Sequence, residues 1–215
     1  MTRVILVTLV VLGLFVSLPA RADRRAFSLD LTPGWSVSSV PTPGSTTPRS
    51  TISTGPAIWA GARYALSNMF EISAAAYFET PVTIGHNGIV LHTDSGDFAG
   101  TLVHQSMRFG AQAGAHAVFG MVWRLHLGFE AGWSQRLYTS LQMIDDQDPG
   151  NATDYGLTLS NTSRGNFVLS PLVGIEWVAG DHWSVALMPR AQFLLGGDFA
   201  WAVILPLQFS YSWYL

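Results

Sequence analysis

Across residues 108–133, RFGAQAGAHAVFGMVWRLHLGFEAGW, every strongly polar side chain stands at an even position: Arg108, Gln112, His116, Arg124, His126 and Glu130. The odd positions carry Phe, Ala, Met, Leu and Trp throughout. A period of two belongs to an extended strand, whose successive side chains point to opposite faces. Sorting that survives the break at residues 119–121 implies two strands joined by a turn that keeps like faces together.

The same period runs through the rest of the chain beyond residue 22, where no stretch shows the 3.6-residue period of a helix. Ile58, Ala60, Ala62 and Tyr64 oppose Trp59, Gly61 and Arg63; Phe70, Ile72, Ala74, Ala76 and Phe78 oppose Glu71, Ser73 and Glu79. Gln135, Leu137 and Leu141 oppose Ser134, Arg136, Tyr138 and Ser140, and Val173, Ile175 and Trp177 oppose Gly174 and Glu176. The alternation predicts eight strands of about 11 to 18 residues, enough to cross a bilayer at a tilt. Polar loops at about 41–54, 83–104 and 142–165 join strands on one side, and tight turns join them on the other. That asymmetry is the one expected of a barrel in an outer membrane. The weak alternation of Ile89, Leu91 and Leu102, and of Leu157 and Leu159, predicts that the second and third loops extend their hairpins as a protruding sheet.

Composition favours lipid over water outside such a sheet. Only 12% of the 215 residues are charged and 48% are hydrophobic, whereas soluble proteins carry roughly 25% charged residues. The polar face is rich in Gly, Ala and Ser, which suits a cramped interior. Seven of the eight tryptophans lie on the apolar face, many near strand ends, as in interfacial aromatic girdles. Trp59 is the exception, for which a bulge is the expected explanation. Pro206 and strict alternation speak against a helix in the uncharged segment 199–215. A closed barrel is the arrangement of strands that pairs every backbone group in lipid.

The first residues, MTRVILVTLVVLGLFVSLPARA, place Arg3 before an apolar run that ends in Ala20-Arg21-Ala22. This predicts a secretory signal peptide over 1–22 and a mature barrel domain over 23–215. All eleven basic residues are arginine. The net charge of −3 gives no reason to expect a nucleic-acid partner. The absence of cysteine excludes disulfides and thiolate chemistry.

Together the signal segment, the eight alternating strands, the loop asymmetry and the final LPLQFSYSWYL resemble the eight-stranded bacterial outer-membrane barrels of the OmpA/OmpX type. The family usually ends in Phe or Tyr, and this chain ends in Leu215. The resemblance implies an all-β, antiparallel up-and-down transmembrane barrel in the outer membrane. It further implies contact with outer-membrane lipid and lipopolysaccharide, and recognition of the last strand by barrel-assembly machinery.

Projected inward, the alternation gives Asp30, Glu71, Glu79, Glu130 and Glu176 against Arg63, Arg108, Arg124, Arg136 and Arg190, with His116 and His126 among them. Eight strands leave an interior only wide enough for side chains. Buried charges there are costly unless paired. The expectation is therefore a structural charge network that plugs the lumen and fixes register. A three-residue turn at 66–68 would set Arg63 directly opposite Glu71. A turn at 119–121 would set Arg108 opposite Gly132, with Glu130 diagonal, and His116 opposite Arg124.

The chain matches the residue patterns of barrel enzymes only in part. His104-Gln105-Ser106 has the His-x-Ser spacing of lipid A deacylases, but parity points both side chains inward. His86, His92, Asp94 and Ser95 resemble the loop residues of palmitoyl-transferring barrels only in type. Asp145, Asp146, Asp148 and Asp154 lack the Gly and Glu of a calcium loop. No catalytic, cofactor or metal residue is expected. The reading is a non-enzymatic barrel, structural or surface-binding and adhesive through its extracellular loops and a loop-bound ligand. A lipid A-modifying deacylase or acyltransferase is the alternative, followed by a small pore.

Overall fold

Strand β1 (Ala26–Pro41) is the seam of the molecule. In the computed structural model it pairs antiparallel with β2 (Ser50–Ala65) on one side. On the other it pairs with the last strand, β10 (Ala200–Tyr214), from Ala26↔Tyr214 to Ser38↔Ala202. Between them run β3 (Phe70–Thr93), β4 (Gly96–Gly120), β5 (Trp123–Asp145), β7 (Thr162–Ala179), and β8 (Trp183–Leu187) with β9 (Arg190–Leu195). The two-residue β6 (Thr158–Leu159) pairs with the outer end of β5. β8 and β9 both lie between β7 and β10 and form one barrel strand interrupted at Met188 and Pro189. Proline has no N–H to give to a ladder. Met188 is fully buried there and fills the lumen. The ring is an all-β, antiparallel, eight-stranded barrel. The structure describes residues 26–43, 49–93, 96–145, 158–196 and 199–214; the signal segment 1–22 lies outside them.

The outward face is a band of exposed hydrophobes, among them Leu29, Ile58, Ile72, Phe109, Leu127, Ile175, Leu205 and Phe209, with Trp35, Trp123, Trp133, Trp177, Trp183 and Trp213. No water-soluble sheet leaves so large a continuous apolar surface bare. A bilayer covers it, and the closed ladder satisfies the backbone inside the lipid.

The ladder corrects the expected loop bounds. β3, β4 and β5 have 24, 25 and 23 residues, longer than expected, and most of segment 83–104 is paired strand, the protruding sheet that the alternation of Ile89, Leu91 and Leu102 predicts. Residues 50–54, expected in a loop, begin β2, and Thr42 N donates to Arg49 O at 2.9 Å to close the connection. Parts of 142–165 likewise belong to β5, β6 and β7.

A further correction is local. Ser140 has φ 53° and the β4–β5 register shifts beside it. One extra residue reverses every later side chain. Leu141 and Met143, placed outside by simple alternation, are therefore buried, and Ser140 is exposed. A similar shift between Glu79 and Val82 changes inward parity on β3 from odd to even. No shift occurs at Trp59, which pairs in register with Thr32 and Tyr77. It faces the lumen as a regular strand residue and not through a bulge.

Candidate functional site

The lumen is filled in tiers. At the periplasmic end Arg63, 5% exposed, is the centre of a carboxylate cluster. Its Nε donates to Asp30 Oδ2 at 3.0 Å, Nη1 to Glu71 Oε2 at 3.2 Å, and Nη2 to Glu176 Oε1 at 2.8 Å and to Ser210 Oγ at 3.0 Å. Glu176 also accepts from Ser184 Oγ at 2.6 Å, meets His126 Nε2 at 3.0 Å and lies 3.6 Å from Arg124 Nη1. Beside it Glu130 Oε1 meets His116 Nε2 at 3.3 Å and accepts from Ser73 Oγ at 3.0 Å, while Glu130 Oε2 lies 3.3 Å from Arg190 Nη1. Glycine makes the room: a Cβ at Gly114 would stand 2.8 Å from Glu130 Cγ.

These positions differ from the turn-based registers. The turn after β2 spans residues 66–69, one longer than expected, so Ala65 pairs with Glu71 and Arg63 pairs with Ser73. Arg63 reaches Glu71 diagonally. Phe119 and Gly120 stay in the ladder, with Gly120 at φ 109°. Arg108 consequently stands opposite Arg136 and not Gly132, and His116 stands opposite Gly128 and not Arg124. Both errors change the pairing by an even number, so no residue changes face.

Above this cluster Trp59 stacks on Tyr77, ring centroids 5.5 Å apart, and both pack with Ala57 and Ile204. This aromatic septum separates the first cluster from a second. There Arg108 Nε donates to Glu79 Oε2 at 3.0 Å, and its Nη2 donates to Glu79 Oε1 and to Gln192 Oε1, the latter at 2.7 Å. Ser36 Oγ donates to Glu79 Oε1 at 2.8 Å, and Arg136 Nη1 donates to Ser106 Oγ at 3.3 Å. The Arg108 guanidinium also lies over the Tyr77 ring at 5.3 Å.

Higher still, where the outward neighbours are Thr83, Gly85, Asn87 and Thr101, the barrel has left the lipid band. Here His86 Nε2 and His104 Nε2 are 3.1 Å apart, with the rings stacked. His86 Nδ1 lies 3.0 Å from both Thr42 Oγ1 and Thr51 Oγ1. Burial, and then the neighbouring His104, push the His86 pKa down to about 4; burial also lowers that of His104. Val40, Ile84, Tyr138 and Leu141 close the lumen around this pair, and Ile89, Leu102 and Met143 pack further out.

Sequence reading singled out the charged residues and missed Trp59, Tyr77 and Gln192 as lumen filling. Inward parity marks all three; hydrophobicity drew attention away from the first two. His104 and Ser106 are buried inside the barrel, 1% and 5% exposed. They cannot act on a lipid at the outer surface from there. Asp94, Ser95, Asp146, Asp148 and Asp154 lie outside the described residues, as do the side chains of His92 and Asp145.

No protein-family model matches the chain, and no curated protein does. Among solved structures it is similar to Neisserial surface protein A (NspA), with a TM-score of 0.56 at 9% identity over 86% of this chain and 97% of that one. Ail, the attachment invasion locus protein of Yersinia pestis, solved with the heparin analogue sucrose octasulfate, has a TM-score of 0.49 at 12% identity over 88% of this chain and 99% of that one. OprG from Pseudomonas aeruginosa has 0.47 at 11% over 89% and 98%. The fold is that of a bacterial outer-membrane barrel.

Proposed function

We infer that this eight-stranded outer-membrane barrel is a non-enzymatic surface-binding protein, anchored by a plugged lumen and acting through its extracellular hairpins. The observation that carries the reading is the length of β3 and β4. Their ladder continues past the lipid band to Thr93↔Gly96. A membrane anchor alone needs only roughly 9–11 residues per strand. Strands held above the bilayer offer edges and side chains to an extended partner segment. Filling of the lumen supports the absence of a pore. The inward burial of His104 and Ser106 supports the absence of deacylase chemistry. Secretion with cleavage after Ala22, insertion by barrel-assembly machinery through the last strand, and contact with lipopolysaccharide complete the proposal.

The test shortens the hairpin by replacing residues 87–100 with a two-residue turn. Insertion should persist, while adhesion of expressing cells to host-matrix components falls at least severalfold. Unchanged adhesion would remove the binding role. Lipid A whose mass spectrum changes when the protein is expressed would establish the enzymatic alternative.

A further inference from the structure

We propose that the periplasmic tier of the lumen is a binding site for one divalent transition-metal ion of the zinc class, held by His116, His126 and Glu71. One donor atom from each of these three side chains lies within 4.8 Å of the other two. They come from β3, β4 and β5, three strands with a common inward face.

The hydrogen bonding of the two imidazoles points to the ion. His116 Nε2 meets Glu130 at 3.3 Å, and His126 Nε2 meets Glu176 at 3.0 Å. A carboxylate on one ring nitrogen holds the proton there and leaves the other nitrogen with a lone pair. In both rings that other atom, Nδ1, is buried and has no hydrogen-bond partner. The residues are 1% and 0% exposed. A buried acceptor without a donor is costly, and two of them on side chains that gather donor atoms around Glu71 are explained by a cation. His126 Nδ1 stands 4.0 Å from Glu71 Oε2. Carboxylate, histidine and metal in series are the usual outer support of a zinc site.

Charge agrees. The periplasmic tier holds Asp30, Glu71, Glu130 and Glu176 against Arg63, Arg124 and Arg190, one negative charge in excess with both histidines neutral. The second tier holds Glu79 against Arg108 and Arg136, one positive in excess. The ten charges of the two tiers sum to zero and are divided so that the histidine tier accepts a cation. Donors spaced at up to 4.8 Å must close to the roughly 3.3 Å edge set by zinc–ligand bonds of about 2.0–2.1 Å. A swing of Glu71 away from Arg63, with a turn of the two imidazole rings toward each other, does this, and Arg63 keeps Asp30 and Glu176. Access is from the periplasm: Glu71, His116 and His126 stand within a few residues of the turns at 66–69 and 121–122, and the Arg124 side chain at the mouth is 19% exposed.

The competing account is a proton: His126 as an imidazolium between Glu71 and Glu176 also neutralises the tier. The experiment uses the folded barrel in detergent micelles, titrated with Zn²⁺ by calorimetry and with Co²⁺ by visible absorption. Expected are one ion per barrel and a ligand-field spectrum of low-coordinate Co²⁺ with histidine. In wild-type protein, Zn²⁺ should shift the side-chain Nδ1 resonances of His116 and His126. His116→Gln and Glu71→Gln should each weaken binding about tenfold or more, while His86→Gln leaves it unchanged. Absence of binding at millimolar Zn²⁺, or binding that leaves the two Nδ1 resonances unmoved, overturns the site. The resonance measurement needs no variant, so a substitution that prevents folding does not protect the proposal.

Discussion

Arg63 shows how much one side chain can be asked to hold. It donates to Asp30, Glu71 and Glu176 at once, from a position 5% exposed. Replacing it by alanine leaves three carboxylates without their shared cation, and stranding a buried charge costs roughly 3–5 kcal/mol. Arg63→Ala should lower the urea midpoint of the refolded barrel accordingly. An Arg63→Ala/Glu71→Gln double variant should recover part of the loss, because it removes one of the stranded charges. Equal stability of the Arg63→Ala and wild-type barrels would show that the cluster bears little load. The inward side of Arg63 was legible from the opposing apolar run Ile58, Ala60, Ala62 and Tyr64, and Glu71 as its partner from the short turn between them; its other two partners were not. Asp30 and Glu176 lie on β1 and β7, and nothing local in sequence sets the stagger at which a ring of strands closes.

At the scale of the element, the β3–β4 hairpin joins lipid chemistry to water chemistry. Its outer half depends on the His86–His104 pair, faced by Thr42, Thr51, Tyr138 and Arg136. The closed hairpin holds His86 neutral, with a pKa of about 4, whereas an opened one returns it toward the ordinary 6.5. Between those values the open form binds a proton that the closed form excludes. The pair's contribution is therefore fully present above about pH 6.5 and is lost as pH falls toward 4. Amide hydrogen exchange, corrected for intrinsic rates, should accelerate in the outer part of β3 between pH 7 and 5, and β7 should be unaffected. His86→Gln should abolish the difference. The hairpin's existence was legible in residues 89–102 only faintly, because two register shifts interrupt the alternation. Ser140 did the same to β5: a bulge residue carries no compositional mark, yet it decides the side on which Leu141 and Met143 fall.

For the whole molecule, the sequence was most informative where one rule applied everywhere. Period-two sorting gave eight crossings, their faces and the inward charges, because each strand meets lipid outside and a narrow interior inside. Turn lengths and registers were illegible where apolar residues serve both turn and strand, as Met69 and Phe119 do. The septum was hidden for a related reason. Trp59 looks like a girdle residue until its neighbours fix its side, and there it packs against Tyr77 and Ile204. Trp59→Ala should cost roughly 3–5 kcal/mol by opening a cavity. It should also join the two charged tiers with water, read as faster exchange of the Arg63 and Arg108 guanidinium protons. The apolar seal above should still keep planar bilayers silent. Sustained conductance of the wild-type barrel would contradict the filled lumen outright.

The division of the lumen charges has a consequence of its own. A negative excess near the periplasmic rim and a positive excess beyond the septum give the barrel interior a permanent dipole along its axis. An electric field across the bilayer therefore distinguishes the two directions in which this barrel can be inserted, though the ten charges of the two tiers sum to zero.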